Sequence, residues 1–364
     1  MREKCKNLAL LLLPALFLFG FSVWSLVKKD DTVSVSERRD LAQLPSASVS
    51  TVLSGSFMEE FERYTLDQFP LRDRFRTLKA LTAVKLLRQS DNNGLYLQDG
   101  SAVKLDYPLD ADSVSSAASR FEALYTRYLQ GTDCRIYLSV IPDKNYYTDE
   151  RYPKMDYAAL KAELTAAMPY ADDIDLTDLL TLDSYYRTDP HWRQEALTEA
   201  ASRLAERMGA ELPAEFRAVR LDTPFYGAYY GQAALPLRPD TLCYLTNDVL
   251  DRCRVFDYEA DAWTTLYDET AASSADPYAL FLSGSKSLLR IENPEAADDR
   301  ELIVFRDSFG SSIVPLLAGG YAKITLVDIR YISPELLGRF LEFDKQDVLF
   351  LYSTTVLNSS NTLR

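Results

Sequence analysis

Residues 302–312, LIVFRDSFGSS, decide the fold predicted for this chain. An unbroken apolar run ends before Arg306, and Asp307 and Ser308 then open a segment typical of a helix. Such apolar runs are typical of strands that are buried on both faces of a parallel sheet. A serine at a strand-to-helix turn presents its hydroxyl at the carboxyl edge of the sheet, where N–H groups of the helix start can stabilise an oxyanion.

The same alternation of strand and helix surrounds this stretch. Further apolar runs predict strands at residues 134–142, 323–330 and 347–354, which read CRIYLSVIP, KITLVDIR and DVLFLYST. Segments with helical spacing separate them, for example RQEALTEAASRLAERMGA. Strands separated by helices indicate an α/β fold with a parallel sheet and helices on both faces. Residues from about 215 to 300 lack the alternation, and we interpret them as a loop-rich insertion.

The composition excludes two classes of function. The 364 residues include 54 acidic and 40 basic side chains, which give a formal net charge of −14. Binding to nucleic acid requires clustered Lys and Arg, so this composition argues against a nucleic-acid partner. The chain contains one histidine, which makes a multi-histidine metal site impossible. We expect neither a metal nor a cofactor.

The N-terminus predicts a membrane anchor. Residues 8–27 carry no charge, and as a helix of about 30 Å they can span a bilayer. Arg2, Lys4 and Lys6 precede them, as the positive-inside rule predicts for a cytoplasmic end. A cleaved signal peptide is the alternative, although no small-x-small cleavage site stands out directly after the apolar run, where the chain reads VKKDD. Either interpretation exports the remainder of the chain.

These signals predict three parts of the chain. Residues 1–27 are a cytoplasmic stub with a transmembrane signal anchor, and residues 28–50 are a polar linker. Residues 51–364 are then a single α/β domain outside the cytoplasm. The predicted location is the cell membrane, which the chain crosses once.

The only histidine, His191, lies in the segment TDPHW at residues 188–192. One interpretation is a surface residue near the start of a helix, the commoner role of a single histidine. The other is a general base, because Pro190 biases the preceding Asp189 toward an extended backbone from which it can reach the imidazole. A serine nucleophile needs such a base, and the base needs a carboxylate to orient it. The alternative role for Ser308 is a helix N-cap.

The TDPHW segment and the helix after it resemble the Asp-His-His-Trp motif of the DHHW protein family. That family is grouped with the SGNH-hydrolase-like domains of alginate O-acetyltransferases. The resemblance covers nearly the whole exported part and rests on separated blocks in a fixed order. Besides TDPHW, they are FMEEFERYTLDQFPLRDRF, NNGLYLQDG, IPDKNYY, FYGAYYGQA, YALFLSGSKSLLRIENP and LIVFRDSFGSSIVPLLA.

The resemblance implies an SGNH-hydrolase-like, flavodoxin-like domain with a catalytic triad. Ser308 is the implied nucleophile, His191 the base and Asp189 the residue that orients the imidazole. Asp and His precede Ser along the chain, the order of the alginate acetylation proteins and the reverse of ordinary SGNH esterases. The first histidine of the motif is Pro190 in this chain, and only the second is needed for the triad.

A second departure concerns the oxyanion. The family is expected to read Gly-Gly-Asn where this chain has SGS at residues 283–285. Gly284 and Ser285 are therefore candidate oxyanion residues, with Ser285 in place of the asparagine. Loss of one oxyanion donor lowers a rate by roughly two to three orders of magnitude, so the change favours an inactive protein as the alternative.

Lys144, Arg306 and Tyr226 complete the candidate substrate residues. Lys144 follows a predicted strand end, where it either contacts substrate or oxyanion or is a solvated loop residue. Arg306 is expected to pair with an acidic neighbour and to shape the serine turn. Tyr226 belongs to an aromatic group that either stacks on sugar rings or lies in the core, and its other members are Trp192, Tyr229 and Tyr230.

Together these features predict an esterase or O-acetyltransferase that acts on a cell-envelope polysaccharide. The expected partners are that polysaccharide, a membrane-bound acyl-donor protein and the membrane itself. The alternative is a catalytically inactive module of the same fold, which binds glycan or serves in envelope assembly.

Overall fold

The computed structural model describes residues 2–213 and 215–364, without the side chains of residues 2–5 and 9. The side chains of Arg2 and Lys4, predicted to precede the anchor, lie outside the described residues. The chain divides into two compact units. The first runs to Gln89 and includes Ala234–Pro236, and the second comprises Ser90–Ala233 and Leu237–Arg364.

The first unit is mainly helical. Its helix α1 contains a segment, Lys6–Val27, that is long and apolar enough to cross a membrane by length and composition. A small antiparallel pair of strands follows, and further helices lie on either side of Pro70. Its elements are α1 (Arg2–Val27), β1 (Val33–Ser34), β2 (Arg39–Asp40), α2 (Val49–Ser54), α3 (Ser56–Asp67) and α4 (Arg72–Leu81), with a π-helical turn at Thr82–Leu86.

Aromatic contacts join α1 to the segment between α3 and α4. The ring of Phe21 stacks on Phe69 at a centroid distance of 5.4 Å and meets the edge of Phe75 at 5.6 Å. Phe17 contacts Phe75 at 6.4 Å. The C-terminal half of the apolar helix is therefore packed against its own unit through aromatic rings.

The second unit is built on an eight-stranded sheet in the order β10-β9-β11-β13-β12-β14-β5-β6. The strands from β13 to β6 are parallel, whereas β11, β9 and β10 add to the β13 edge in antiparallel fashion. The strands are β5 (Arg135–Ile141), β6 (Asp172–Asp173), β9 (Arg254–Asp257), β10 (Ala262–Thr264), β11 (Leu288–Glu292), β12 (Glu301–Arg306), β13 (Lys323–Val327) and β14 (Asp347–Ser353). Two antiparallel pairs lie outside this sheet, β3 (Leu95–Gln98) with β4 (Ser101–Lys104), and β7 (Arg217–Phe225) with β8 (Asp240–Thr246).

Helices cover both faces of this sheet. Strand β14 demonstrates it, because Leu349 and Leu351 pack into one apolar core while Phe350 and Tyr352 pack into the other. Alternate side chains of a strand point to opposite faces, so the two cores lie on opposite sides of the sheet. The helices are α5 (Ala111–Leu124), α6 (Tyr157–Ala167), α7 (Thr198–Met208), α8 (Ala228–Ala233), α9 (Gly310–Leu317) and α10 (Thr354–Leu357).

The two cores recruit different helices. Leu204 of α7 and Ile313 of α9 pack into the first core, and Phe121 of α5 and Leu160 of α6 pack into the second. The predicted parallel sheet between helices is therefore present, and the antiparallel strands β9, β10 and β11 come from the segment interpreted as an insertion. The predicted division at residues 27 and 50 stays a prediction.

Substitution of Phe350 tests the second core. Its side chain is fully buried, and its ring lies 4.9 Å from Phe305 and 5.2 Å from Phe121 between centroids. We expect Phe350→Ala to lower the free energy of unfolding by about 3–5 kcal/mol, because it removes buried contacts and leaves a cavity. Phe340, which is 45% exposed, is the control, and Phe340→Ala is expected to change the free energy of unfolding by less than about 1 kcal/mol. Urea unfolding of the full chain in detergent micelles, followed by near-ultraviolet circular dichroism, measures both, and equal losses would contradict this core.

Candidate active site

Ser308 lies in the tight turn that connects β12 to α9. The carboxylate of Asp307 fixes this turn, because Oδ1 accepts the N–H of Phe309 at 2.9 Å and Oδ2 accepts the N–H of Ser353 at 2.8 Å. A β-carbon at Gly310 would lie 2.8 Å from Cβ of Arg306, so the close approach of helix to strand requires glycine. Ser308 itself is half-buried, which leaves part of it accessible.

A chain of hydrogen bonds joins the three residues predicted as a triad. His191 Nε2 lies 2.8 Å from Ser308 Oγ, and His191 Nδ1 lies 2.6 Å from Asp189 Oδ1. A carboxylate can only accept, so the neutral imidazole carries its proton on Nδ1, and Nε2 accepts the hydroxyl proton of Ser308. This is the tautomer in which an imidazole can act as a base toward a serine.

Two aromatic rings hold the plane of His191. The ring of Tyr278 stacks on the imidazole at 3.9 Å between centroids with an interplanar angle of 9°, and Phe309 contacts it at 4.9 Å. The hydroxyl of Tyr278 donates to Ser312 Oγ at 2.9 Å. Burial raises the pKa of Tyr278 well above its usual value, so the ring stays a neutral phenol. The sequence reasoning missed Tyr278, which has no local signal beyond its place in the block that starts YALF.

Asp189 and His191 are carried by a short hairpin, residues 184–193, which we call the Asp–His hairpin. Tyr185 and Trp192 form its bridge. The N–H of Tyr186 donates to the carbonyl of His191 at 3.0 Å, and the N–H of Arg193 donates to that of Ser184 at 2.8 Å. The hairpin thereby fixes the main chain on both sides of the Asp-Pro-His tip.

The carboxylate of Asp240 in β8 holds the tip from below. Its Oδ1 accepts the N–H of Arg187 at 2.9 Å, and its Oδ2 accepts both the N–H and the hydroxyl of Thr188, at 2.8 and 2.6 Å. Asp240 is 8% exposed, so these bonds replace water around a buried charge. No local feature of the sequence singles out Asp240.

The block FYGAYYGQA positions Asp189. The second carboxylate oxygen of Asp189 accepts the N–H of Ala228 at 2.9 Å, and Gly227 N–H donates to Thr188 Oγ1 at 2.9 Å. A β-carbon at Gly227 would lie 2.2 Å from Cβ of Asp189, so this approach excludes every residue but glycine. A glycine inside an aromatic run was the signal that could have identified this contact from sequence.

Lys144 lies beneath the hairpin, and the structure corrects its predicted role. The side chain is 2% exposed, and Nζ donates to the carbonyls of Ala102, Tyr186 (2.8 Å), Arg187 (3.3 Å) and Asp189 (3.3 Å). Burial lowers the pKa of Lys144 to about 7, although nearby carboxylates, Asp189 first among them, raise it. Lys144 therefore connects the hairpin to β4 through hydrogen bonds. It is neither a substrate contact nor a solvated loop residue, the two roles predicted from sequence.

The predicted group of sugar-stacking rings is divided by burial. Trp192 is fully buried, and its indole N–H donates to Phe309 O at 3.1 Å and to Ser312 Oγ at 2.8 Å. Tyr229 is 7% exposed and lies over Nζ of Lys144 at 5.4 Å. Only Tyr226, at 42% exposure, presents a large surface, with Tyr230 packed 4.5 Å from it. Trp192 and Tyr229 are core residues and not stacking surfaces.

The oxyanion candidates differ in what they can donate. The N–H of Gly284 donates to Phe281 O at 3.1 Å, so in this conformation it closes a turn and faces no oxyanion. Ser285 is exposed. Among the residues that the structure describes, the N–H of Ser308 has no acceptor, which makes it the candidate donor at the nucleophile.

Arg306 lies behind the serine turn and cannot reach a substrate. It is fully buried, and its Nη1 donates to Asp307 O at 3.3 Å and to Ser311 Oγ at 3.1 Å. The nearest carboxylate oxygen, Asp328 Oδ2, lies 3.8 Å away. Burial lowers the pKa of Arg306. The expected acidic neighbour and the role in shaping the turn are present, whereas the substrate role is not.

The fold and site together define an α/β protein with a hydrogen-bonded chain of Asp189, His191 and Ser308, called the relay below, at the carboxyl edge of a parallel sheet. A family model described as DHHW protein matches residues 181–327, the part of the chain that contains all three relay residues. The match confirms the relation to the DHHW family that the TDPHW segment indicated. Comparison with curated proteins gives no match.

Solved structures share this fold. A DHHW family protein from Eubacterium siraeum is 20% identical with a TM-score of 0.61, over 75% of this chain and 94% of its own. PatB1 of Bacillus cereus is 17% identical with a TM-score of 0.56, over 72% of this chain and 96% of its own. A PatB1 structure with a sulfonyl adduct is 16% identical with a TM-score of 0.53, over 72% and 95%. These likenesses establish the fold, and the predicted α/β class is confirmed.

The pH dependence of stability tests the burial of Lys144. Its pKa of about 7 in the folded chain lies below the ordinary lysine value of 10.5. Between these values the unfolded chain binds a proton that the folded chain releases, so the free energy of unfolding rises with pH by up to about 1.4 kcal/mol for each pH unit. We expect Lys144→Met to abolish this rise, as measured by urea unfolding from pH 7 to 10. Lys85→Met, at an exposed lysine, is the control and should retain the rise. An unchanged rise in Lys144→Met would contradict the lowered pKa of the buried Lys144 side chain.

Proposed function

We propose that this chain is a membrane-anchored, extracytoplasmic esterase or O-acetyltransferase that acts on a cell-envelope polysaccharide. The observation that carries the proposal is the unbroken hydrogen-bond chain from Asp189 through His191 to Ser308. A helix N-cap serine would need no imidazole at 2.8 Å from its hydroxyl, and a surface histidine would need no buried carboxylate behind it. Neither the N-cap role of Ser308 nor the surface role of His191 explains this geometry.

Acyl transfer follows from the atoms in place. His191 Nε2 takes the hydroxyl proton as Ser308 Oγ attacks the acetyl carbonyl, and the carbonyl oxygen becomes an oxyanion within reach of the Ser308 N–H. When the tetrahedral intermediate collapses, the imidazolium returns its proton to the departing alcohol. The acetyl group is then held as an ester on Ser308. Attack by a second hydroxyl, with His191 again as base, releases it and restores the serine.

Asp189 serves in this cycle as a fixed anion. Its side chain is 1% exposed, and it accepts hydrogen bonds from the His191 main chain, the imidazole and Ala228 N–H. Because Asp189 is buried, its carboxylate is poorly screened by water and stabilises the imidazolium that forms when the serine loses its proton. No proton has to move to Asp189 itself.

The identity of the second hydroxyl separates the two activities. Water gives an esterase, and a sugar hydroxyl gives a transferase. In the second case the acetyl group has to be supplied outside the cytoplasm, so we propose a membrane-bound acyl-donor protein as partner. The resemblance to the DHHW family and its alginate O-acetyltransferase relatives favours a polysaccharide as the acceptor.

Substitution of the relay residues tests the chemistry. We expect Ser308→Ala and His191→Ala each to lower kcat/KM for p-nitrophenyl acetate by roughly four orders of magnitude or more, because each removes an essential part of the relay. Phenylmethylsulfonyl fluoride, a reagent for activated serines, should label Ser308 in the wild-type chain but not in His191→Ala, as measured by mass spectrometry. The full chain in detergent micelles is used throughout.

The matched control is Ser119→Ala, an exposed serine on α5 that should leave the rate unchanged. Equal rates in the wild type, Ser308→Ala and His191→Ala would contradict the relay. No rate in any of them, on the small ester or on acetylated envelope glycans, would favour the inactive glycan-binding or assembly module, which the SGS segment at residues 283–285 also favours.

The anchor is tested separately. We expect the mature chain to keep its full mass of 41.2 kDa and to stay with membranes after alkaline carbonate washing, since the charged run KKDD and no small-x-small site directly follows Val27. A double substitution, Lys28→Ala with Asp30→Ala, creates such a site and should release a shorter, washable protein. Release of the wild-type chain in the shorter form would show a cleaved signal peptide.

A further inference from the structure

A cavity of about 350 Å³ lies against the Asp–His hairpin, outside the relay itself. Alternate residues of the hairpin and its flanks line one side, and β7 with the start of β8 lines the other. Its volume is within the range of about 300–1,000 Å³ that small-molecule sites occupy. The lining side chains are mostly charged, and the principal ones are Asp183, Arg187, Arg193, Glu195, Arg220 and Asp240.

Two of the three arginines in this cavity are uncommitted. The guanidinium groups of Arg187 and Arg220 make no hydrogen bond or ion pair within the described part of the chain. Arg193 is committed, because its Nε donates to the carbonyl of Asp183 at 3.0 Å and its Nη1 lies 3.5 Å from Glu195 Oε1. Unpaired guanidinium groups in a concave site are suited to oxygen anions, which they bind with two parallel N–H groups.

The main chain of Arg187 is held in place even though its side chain is not. Its N–H donates to Asp240 Oδ1 at 2.9 Å, and its carbonyl accepts Nζ of Lys144 at 3.3 Å. Both carboxylate oxygens of Asp240 already accept hydrogen bonds from the hairpin main chain and from the Thr188 hydroxyl. Asp240 therefore competes little with a ligand for the guanidinium of Arg187. The guanidinium of Arg187 therefore extends from a main chain that is held by hydrogen bonds.

Glu195 supplies an acceptor of the opposite kind. Its Oε2 is buried and has no hydrogen-bond donor within the described residues. Burial raises the pKa of this carboxyl group, whereas Arg193 and Arg220 lower it. A buried carboxylate oxygen without a partner is costly, and a ligand hydroxyl that donates to it would remove that cost.

We propose that this cavity is a saccharide subsite for a sugar unit that carries an anionic group. Arg187 and Arg220 bind the anionic oxygens, and Glu195 Oε2 accepts a sugar hydroxyl. The inference rests on the proposed function, since it names the substrate class as an acidic polysaccharide. The subsite adjoins the hairpin that carries Asp189 and His191, so a bound sugar unit holds the polysaccharide against that hairpin.

Calorimetric titration of the full-length Ser308→Ala chain in detergent micelles tests the subsite without turnover. The probes are oligogalacturonate, its carboxyl-reduced neutral counterpart and inorganic phosphate. We expect oligogalacturonate to bind roughly tenfold or more tightly than the reduced form, because a charge-assisted hydrogen bond contributes about this factor. Arg187→Gln and Arg220→Gln should each weaken the binding of oligogalacturonate roughly tenfold. Glu195→Gln should weaken the binding of both oligogalacturonate and its reduced form.

Arg217→Gln is the matched control. Arg217 lies on the same strand as Arg220 but pairs at the surface with Asp251 at 3.1 Å, so its loss should change the affinity by less than about twofold. Equal affinity for the acidic and reduced glycans, or unchanged binding in both Arg187→Gln and Arg220→Gln, overturns the proposal. Phosphate binding as tight as that of the glycan also overturns it, since the cavity would then be a simple anion site. Binding does not depend on Ser308, so an inactive relay and a false subsite give different results.

Discussion

The buried carboxylate of Asp189 is the constraint on which the rest of the site depends. At 1% exposure it has lost its water, and an ion in that position must be surrounded by donors. The chain provides them mostly from its own main chain: the N–H of His191, the N–H of Ala228 and the imidazole itself. The hairpin, the glycine at 227 and the start of α8 are all arranged to bring these donors to two oxygen atoms.

The solvation of one charge creates a need to solvate others. Lys144 lies beneath the hairpin, where it donates to main-chain carbonyls close to Asp189. Asp240 accepts the N–H groups of residues 187 and 188. Each of these buried ions would be unstable alone. Together Lys144 and Asp240 satisfy main-chain groups of residues 186–189, so replacement of either one leaves polar groups of the hairpin tip unpaired.

Sequence reasoning predicted the features that are encoded locally. The apolar runs of β5, β12, β13 and β14 are continuous because both faces are buried, so the parallel core was predictable. The strands β9, β10 and β11 were not, because RVFD, AWT and LLRIE are short and partly exposed and read as loop. The relay residues could be named from sequence because the segment TDPHW resembles the DHHW motif, the chain has a single histidine, and Ser308 follows a continuous apolar run.

The misplaced residues share a different cause. The environment of Lys144 is made by carbonyls from residues 102 and 186–189, which no window around IPDKNYY contains. Trp192 and Tyr229 have the composition of a sugar-stacking surface, but their burial is decided by long-range packing. Asp240 and Tyr278 act through partners about fifty and ninety residues away along the chain. A glycine such as Gly227 is the exception, because close approach leaves a mark in the sequence.

The bond between Asp307 and Ser353 has a consequence for the life of the chain. Ser353 ends β14, the strand that comes last along the described residues, and its N–H is one of the two groups that fix the Ser308 turn. A growing polypeptide that has not yet reached Ser353 contains the Asp–His hairpin and Ser308 but lacks this hydrogen bond. The complete constellation therefore cannot exist before residue 353 has been synthesised, and it assembles only after β14 has joined the sheet.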